Sequence, residues 1–243
     1  MSELVKLNRI SKTFYSMNGE TNVISNVSFS IDENEIVSII GPSGCGKSTI
    51  LNIISSLEEQ NEGEIMSNAK LGYMFQKDAL LPWRNVLDNV IFPLEIKKIK
   101  TKDNIKYAIE LIDKYGLSSF KKHYPNDLSG GMKQRVSLIR TLVLKPNLLL
   151  LDEPFSALDA QTKLFVQEDV FKIIKNEKIS SLIVTHDIFE AIALSNRIII
   201  LSKRPCSIVK IINIPFVNLS PSERRKHKDF TLLFNEVFSN LDE

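Results

Sequence analysis

The sequence predicts an α/β fold built on a mostly parallel sheet, and three observations predict it. Short apolar runs at 36–40, 148–151, 182–184 and 198–201 are each bounded by turns, as strands covered on both faces should be. Helix-length segments separate these runs. The first run leads directly into Gly41-Pro42-Ser43-Gly44-Cys45-Gly46-Lys47-Ser48, which matches the phosphate-loop pattern G-x-x-x-x-G-K-[ST] in its required place between a strand and a helix.

The bulk properties agree. A chain of 243 residues with net charge +2, 43% hydrophobic and 25% charged residues falls in the ordinary range for folded proteins, not that of disordered or nucleic-acid-coating chains. Its length can bury ~70% of the unfolded surface, so the core needs no disulfide or structural metal. Two cysteines, Cys45 and Cys206, and an N-terminus without a charged and apolar leader suggest a reducing, non-secreted setting. The longest apolar runs are about four residues, against the ~20 that cross a bilayer.

Taken in order, Val27-Ser28-Phe29-Ser30-Ile31 alternates apolar and polar residues, the period of a half-buried strand. The polar stretch 16–22 before it reads as a loop. Strand 36–40, the phosphate loop and a helix from Ser48 follow, then a short strand at 71–75. Between 86 and 127 no strand pattern occurs; Ile105, Ala108, Ile109 and Ile112 form a helical stripe closed by Gly116, so this stretch reads as a helical insertion ending in the turn Pro125-Asn126-Asp127. A helix should run from Ser129 toward Leu144. From Ser222 a terminal amphipathic helix is expected, its basic run Arg224, Arg225, Lys226, His227 and Lys228 forming a solvated face. Repeats and low-complexity tracts are absent.

The phosphate loop carries the first chemistry. Its glycines let successive backbone N–H groups turn toward phosphate oxygens, and the following helix adds the positive end of its dipole. Lys47 would place a charge on the β and γ oxygens, and the Ser48 hydroxyl would be a Mg²⁺ ligand. Leu148-Leu149-Leu150-Leu151 ends in Asp152 and Glu153. Asp152 can hold Mg²⁺, while Glu153 is the candidate for orienting the attacking water. His186, ending the strand 181–185, could contact the γ-phosphate or order that water. His123 and His227 have no such context and read as surface residues. A second anion site is suggested by Ser129, a natural helix cap, followed by Gly130-Gly131, which leave the first N–H groups of the helix bare.

Leu128-Ser129-Gly130-Gly131-Met132-Lys133-Gln134-Arg135 closely resembles the signature of ATP-binding cassette (ABC) ATPases. The family's other motifs occur in the family's order: the phosphate loop, Gln76, the signature, Asp152-Glu153, Ser156-Ala157-Leu158-Asp159 and His186. Five of the nine glycines lie in the two phosphate-facing motifs, where backbone must approach a ligand closely. The resemblance implies a P-loop NTPase with a RecA-like core, an N-terminal antiparallel β-subdomain and an inserted helical subdomain. One ABC ATPase domain would span 1–243, with its core at about 1–85 and 136–221, the helical subdomain at about 86–135 and a C-terminal helix at about 222–243.

By the same resemblance, two copies pack head to tail, and each ATP lies between one copy's phosphate loop and the other's signature (Ser129, Gly130, Gly131, Gln134). ATP would contact Phe14, residues Gly41 through Ser48, and Thr49; adenine would stack on Phe14, with Tyr15 the alternative. Gln76 would join Ser48 and Asp152 at Mg²⁺ and act with Glu153 and His186 in catalysis. Asp159 would couple the two sites near the dimer axis. Cys45 would matter more through its backbone N–H than its thiol.

A narrower likeness, in 75–86, Asp159-Ala160-Gln161-Thr162 and Leu201-Ser202-Lys203-Arg204-Pro205, is to the nitrate/sulfonate/taurine importer branch. It implies a separate transmembrane permease that contacts the region of Trp83, indirectly a substrate-binding protein, no nucleic acid, and a peripheral position on the cytoplasmic face of the cell membrane. Asn34, where the family has Gly, Cys206, where it has Gly after Arg-Pro, and a short 58–70 segment depart from the pattern. A soluble ABC ATPase outside transport, a phosphate-loop kinase or GTPase, and a non-catalytic nucleotide-gated scaffold are the alternatives.

Overall fold

The computed structural model describes residues 3–17, 19–76 and 79–241. Two sheets organise them. Strands β1 (Glu3–Ser16), β2 (Gly19–Asp32) and β4 (Glu62–Ser67) form an antiparallel sheet in the order β2-β1-β4. The second sheet contains β3 (Ile36–Ile40), β5 (Leu71–Met74), β6 (Leu148–Asp152), β7 (Ser180–Thr185), β8 (Arg197–Leu201) and β9 (Ile208–Asn213). Its order is β5-β6-β7-β3-β8-β9, parallel except for β9, which pairs antiparallel with β8.

The apolar runs are strands because both faces of the parallel sheet are buried. Along β6, Leu149 and Leu151 point into one core with the helices α2 (Val86–Ile96), α3 (Lys102–Lys114), α4 (Gly130–Leu142) and α5 (Ala160–Glu177). Leu148 and Leu150 point into the other, with β1, β2 and α1 (Lys47–Ile54). A run with no polar position is what such a two-sided strand needs. At the far edge a third core joins β8 and β9 to α6 (Ile188–Leu194) and α8 (Phe230–Leu241).

The stretch 86–127 contains α2, α3 and two short 3₁₀ turns and no strand, as its pattern predicts, and α4 follows it. Its helices start on side-chain caps, with Asn85 accepting from the Asp88 N–H at 2.8 Å and Thr101 from Asn104 at 3.2 Å, which satisfies donors the first turn leaves open. Helix α4 runs without a break from the signature into the core beneath β5. Asn34 sits at φ 61° and tolerates it. The short 58–70 segment supplies only β4, one strand against β1.

Two expectations are corrected. Ser16 and residues 19–22 are strand, not loop: β1 and β2 continue as a ribbon with Phe14 opposite Thr21 and Ser16 opposite Gly19, and Met17 is a turn residue. The ribbon projects beyond the core, so both its faces meet solvent and the polar composition no longer signals a turn. Asn18 lies outside the described residues. Nor is the basic run a solvated face of one terminal helix. The segment divides into α7 (Pro221–Arg225) and α8, and Arg224 is fully buried. Its guanidinium donates to the carbonyls of Ser195 and Val217 at 2.7 Å and of Leu219 at 2.9 Å, and burial lowers its pKa to about 10. Arg225 bonds the Gln167 side chain and His227 packs on the Phe216 ring, leaving Lys226 and Lys228 exposed. The reason is that the carbonyls of Ile192, Ser195, Val217 and Leu219 face one buried point, and one Arg reaches all four.

No helix among the described residues is long and apolar enough to cross a membrane. Arg224→Ala should lower the unfolding free energy by about 3 kcal/mol, because it strands buried carbonyls and opens a cavity. Urea denaturation of the parent and variant measures this, and an unchanged midpoint would contradict the role given to Arg224.

Candidate functional site

Parallel pairing brings the motifs together. Ile40 pairs with Thr185 and Asp152 with Val184, so β3, β6 and β7 end on the same edge of the sheet. From that edge emerge the phosphate loop, the Asp152-Glu153 pair and His186. They border a cleft of about 830 Å³ whose walls include Phe14, Ser43, Lys47, Gln76, Glu153 and His186. This is where open α/β sheets place ligands.

The loop is shaped for an anion. Gly46 has φ 132°, and a Cβ there would lie 2.9 Å from Val23 Cγ1, so only glycine brings the backbone this close to β2. The Lys47 ammonium donates to the Gly41 and Pro42 carbonyls at 2.7 and 2.9 Å. A buried cation is thus satisfied within the loop. Pro42 contributes that carbonyl and has no N–H to offer, and the Cys45 N–H donates to Pro42 O at 3.3 Å. Arg204, from the β8–β9 connection, braces the loop with two donations to Gly44 O at 2.6 and 3.1 Å. Sequence reading missed Arg204 as a site residue; a lone Arg 160 positions away carries no local signal.

On the opposite wall, the Ser48 hydroxyl donates to Asp152 Oδ1 at 3.1 Å. Burial raises the Asp152 pKa, opposed by this hydrogen bond. A hydroxyl and a carboxylate side by side are hard oxygen donors suited to Mg²⁺, which usually takes its other ligands from phosphates and water; the donor set fits. Glu153 is held at φ 44°, in the left-handed region, with its N–H donating to Val184 O at 2.8 Å and its carbonyl accepting from Ser156 Oγ at 3.0 Å. Such a strained backbone persists only where its surroundings fix it. Its carboxylate accepts from Gln76 Nε2 at 3.1 Å and lies 3.3 Å from His186 Nδ1. Three predicted residues, Gln76, Glu153 and His186, therefore converge on one carboxylate.

Phe14 lines the cleft from the end of β1, 38% exposed, with Lys12 Nζ 4.8 Å from its ring; Tyr15 points elsewhere, 68% exposed. Thr49 lies beside Ser48 on the cleft wall. The signature lies apart from this cleft. Ser129 caps α4 by accepting from Met132 N–H at 3.3 Å, and a Cβ on Gly131 would meet Val166 Cγ2 at 2.9 Å. Gly130, Lys133 and Ser156 border a second depression of about 630 Å³, which Gln76 also reaches. Gln134 is buried and donates to the Pro154 carbonyl, fastening α4 to the turn after Glu153. Asp159 caps α5, accepting from Thr162 N–H at 3.0 Å. Trp83 is 71% exposed in the turn before α2.

A charged cluster lies behind His186. Lys163 of α5 reaches Asp187 at 2.6 Å and Glu190 at 3.2 Å; burial disfavours its charge, yet the two carboxylates raise its pKa. Burial pushes Glu190, 2% exposed, up to about 7.

The fold and cleft define a phosphate-loop nucleotide-binding protein with a sheet-edge acidic pair. The sequence profile of the ABC transporter family matches residues 24–156. The chain is 40% identical to the aliphatic sulfonates import ATP-binding protein SsuB of Bacillus anthracis, over 98% of this chain and 96% of that one. It is 38% identical to the ABC transporter ATP-binding protein YtlC of Bacillus subtilis (strain 168), over 97% and 95%. The dimeric structure of MJ0796, a bacterial ABC transporter cassette, superposes with a TM-score of 0.74 at 33% identity, covering 87% of this chain and 99% of that one. The same cassette is known as a post-hydrolysis dimer bound to ADP and Pi, at a TM-score of 0.73 and 31% identity. The chain belongs to the ABC transporter family and is an ABC ATPase.

Because Glu190 titrates well above the ordinary carboxylate range, its neutral form favours the folded state. That contribution is complete below about 4.5 and lost as pH rises through about 7. Glu190→Gln should therefore flatten the fall in unfolding free energy between pH 5 and pH 8 by on the order of 1–3 kcal/mol. Denaturation at both pH values tests this, and parallel pH profiles for parent and variant would refute it.

Proposed function

We propose that this chain powers an importer of a small organic anion, of the sulfonate type its relatives are named for, through a separate membrane permease. A substrate-binding protein would deliver the cargo. Two copies would pair head to tail, with the Ser129-Gly130-Gly131 helix end of one capping the nucleotide on the other's phosphate loop. The observation that carries this reading is the separation of the two anion-binding helix ends into different depressions that share Gln76. One chain then presents two complementary halves of a nucleotide site, which suits a symmetric pair.

In this reading Phe14 stacks on adenine and the loop 41–49 wraps the phosphates, with Lys47 exchanging its loop carbonyls for β and γ oxygens. Ser48 and Asp152 would hold Mg²⁺, aided by Gln76; the ion supplies neutralisation of phosphate charge. Glu153 accepts a hydrogen bond from the attacking water and draws off its proton. His186, 3.3 Å from the Glu153 carboxylate, would keep that group aimed and donate toward the γ-phosphate. Asp159 sits where the partner copy would approach. The exposed Trp83 and the helices behind it would receive the permease, transmitting closure and opening of the pair. The protein would then work on the cytoplasmic face of the cell membrane.

Glu153→Gln should keep ATP binding and lower turnover by at least ~10², accumulating an ATP-bound dimer seen by size-exclusion chromatography; hydrolysis at the parent rate would remove Glu153 from its role. Lys47→Ala should lose nucleotide affinity about tenfold or more, read by titration with a fluorescent ATP analogue. Tagged chain recovered from detergent-solubilised native membranes should bring down a multispanning subunit. Recovery with soluble partners alone, ATPase intact, would favour an ABC ATPase outside transport.

A further inference from the structure

The only two cysteines of the chain stand 161 positions apart in sequence, yet the fold brings them together beneath the phosphate loop. Cys45 and Cys206 are both buried in the core that also holds β1, β2 and α1, with Cys206 packed against Gly46, the residue that follows Cys45. Cys45 lies within the loop itself. Cys206 belongs to the connection between β8 and β9 and is fixed by backbone bonds to β2, its N–H donating to Val23 O at 2.9 Å and its carbonyl accepting from Ser25 N–H at 2.9 Å. The position a Gly46 Cβ would occupy lies 3.1 Å from Cys206 Sγ, so only a bare glycine separates this sulfur from the nucleotide cleft that Gly46 lines. Both cysteines are reduced here.

We propose that Cys45 and Cys206 form a peroxide-reactive dithiol site whose disulfide disables the phosphate loop. The chemistry is divided between them. The Cys206 thiol and the charge of Lys47 lower the Cys45 pKa to about 6, which makes Cys45 the nucleophile. Its thiolate attacks one oxygen of hydrogen peroxide, an S–O bond forms, the O–O bond breaks, and hydroxide leaves to take up the proton Cys45 released. The Cys206 sulfur then attacks the sulfenic sulfur, the S–S bond forms, the S–O bond breaks, and a second water departs with the Cys206 proton. Two thiols lose two electrons and one peroxide becomes two waters. An S–S bond of about 2.05 Å draws the loop down against an anchor that is tied to β2. The N–H groups around Gly44 and Gly46 move with it, away from the positions in which they can meet phosphate oxygens. The loss of function rests on the ATP-site reading given above; the disulfide itself does not.

The reduced full chain is treated with hydrogen peroxide, quenched with catalase, and followed by intact mass, peptide mapping and binding of a fluorescent ATP analogue. The expected result is a loss of two hydrogen masses, a 45–206 cross-linked peptide, nucleotide affinity weakened about tenfold or more, and recovery of all three in dithiothreitol. Cys206→Ser, or Cys206→Ala if the first does not fold, should bind nucleotide like the parent when reduced. Under peroxide it should give no intramolecular cross-link and should trap Cys45 as a dimedone-reactive sulfenic acid. Two free thiols after peroxide, or oxidation beyond sulfenic acid without a cross-link, overturns the dithiol site. A cross-link that leaves affinity unchanged overturns its control of the loop. Failure of the reduced parent to bind the analogue would instead sink the nucleotide-site reading, with the mass result still deciding the dithiol.

Discussion

The site depends on the parallel register of β3, β7 and β6. Parallel strands end on a common edge, and here Ile40 against Thr185 and Asp152 against Val184 set three loops from distant parts of the sequence side by side. Shifting any strand by one residue would turn its side chains to the opposite face. In β3 such a slip would part Ser38 from Ser195, its buried hydrogen-bond partner. Polar positions of this kind protect the alignment of Lys47, Ser48, Asp152, Glu153 and His186.

The arrangement at the sheet edge leaves the charged groups partnered. Lys47 is held by carbonyls of its own loop, Asp152 by Ser48, and Glu153 by Gln76 and His186. Each of these bonds is of a kind a phosphate, a metal ion or a water can replace without leaving a buried charge exposed to an apolar wall. Preorganisation of this sort lets binding exchange partners rather than build the site anew.

A second tier ties the edge to the rest of the molecule. Gln134 fastens the signature helix to the turn after Glu153. Lys163 joins α5, which Asp159 caps, to the Asp187 beside His186. Arg224 and Arg225 close the far side, one gathering carbonyls after α6 and the other bonding Gln167 of α5. Movement of α4 or α5 thus reaches Glu153 and His186 through side chains already in contact.

The sequence by itself determined the strands of the parallel sheet, the phosphate loop, the acidic pair and the helical insertion, because each is written in local spacing: apolar runs, glycines at fixed offsets, a capping Ser before two glycines. Only the tertiary structure decided that Ser16 and residues 19–22 belong to a strand ribbon, that Arg224 is a core residue and that Arg204 braces the loop. It alone revealed the left-handed Glu153 and the pairing of Cys45 with Cys206. These are matters of burial and of long-range neighbours. A polar strand clear of the core looks like a loop, and a basic residue is read as solvated until the carbonyls that need it come into view.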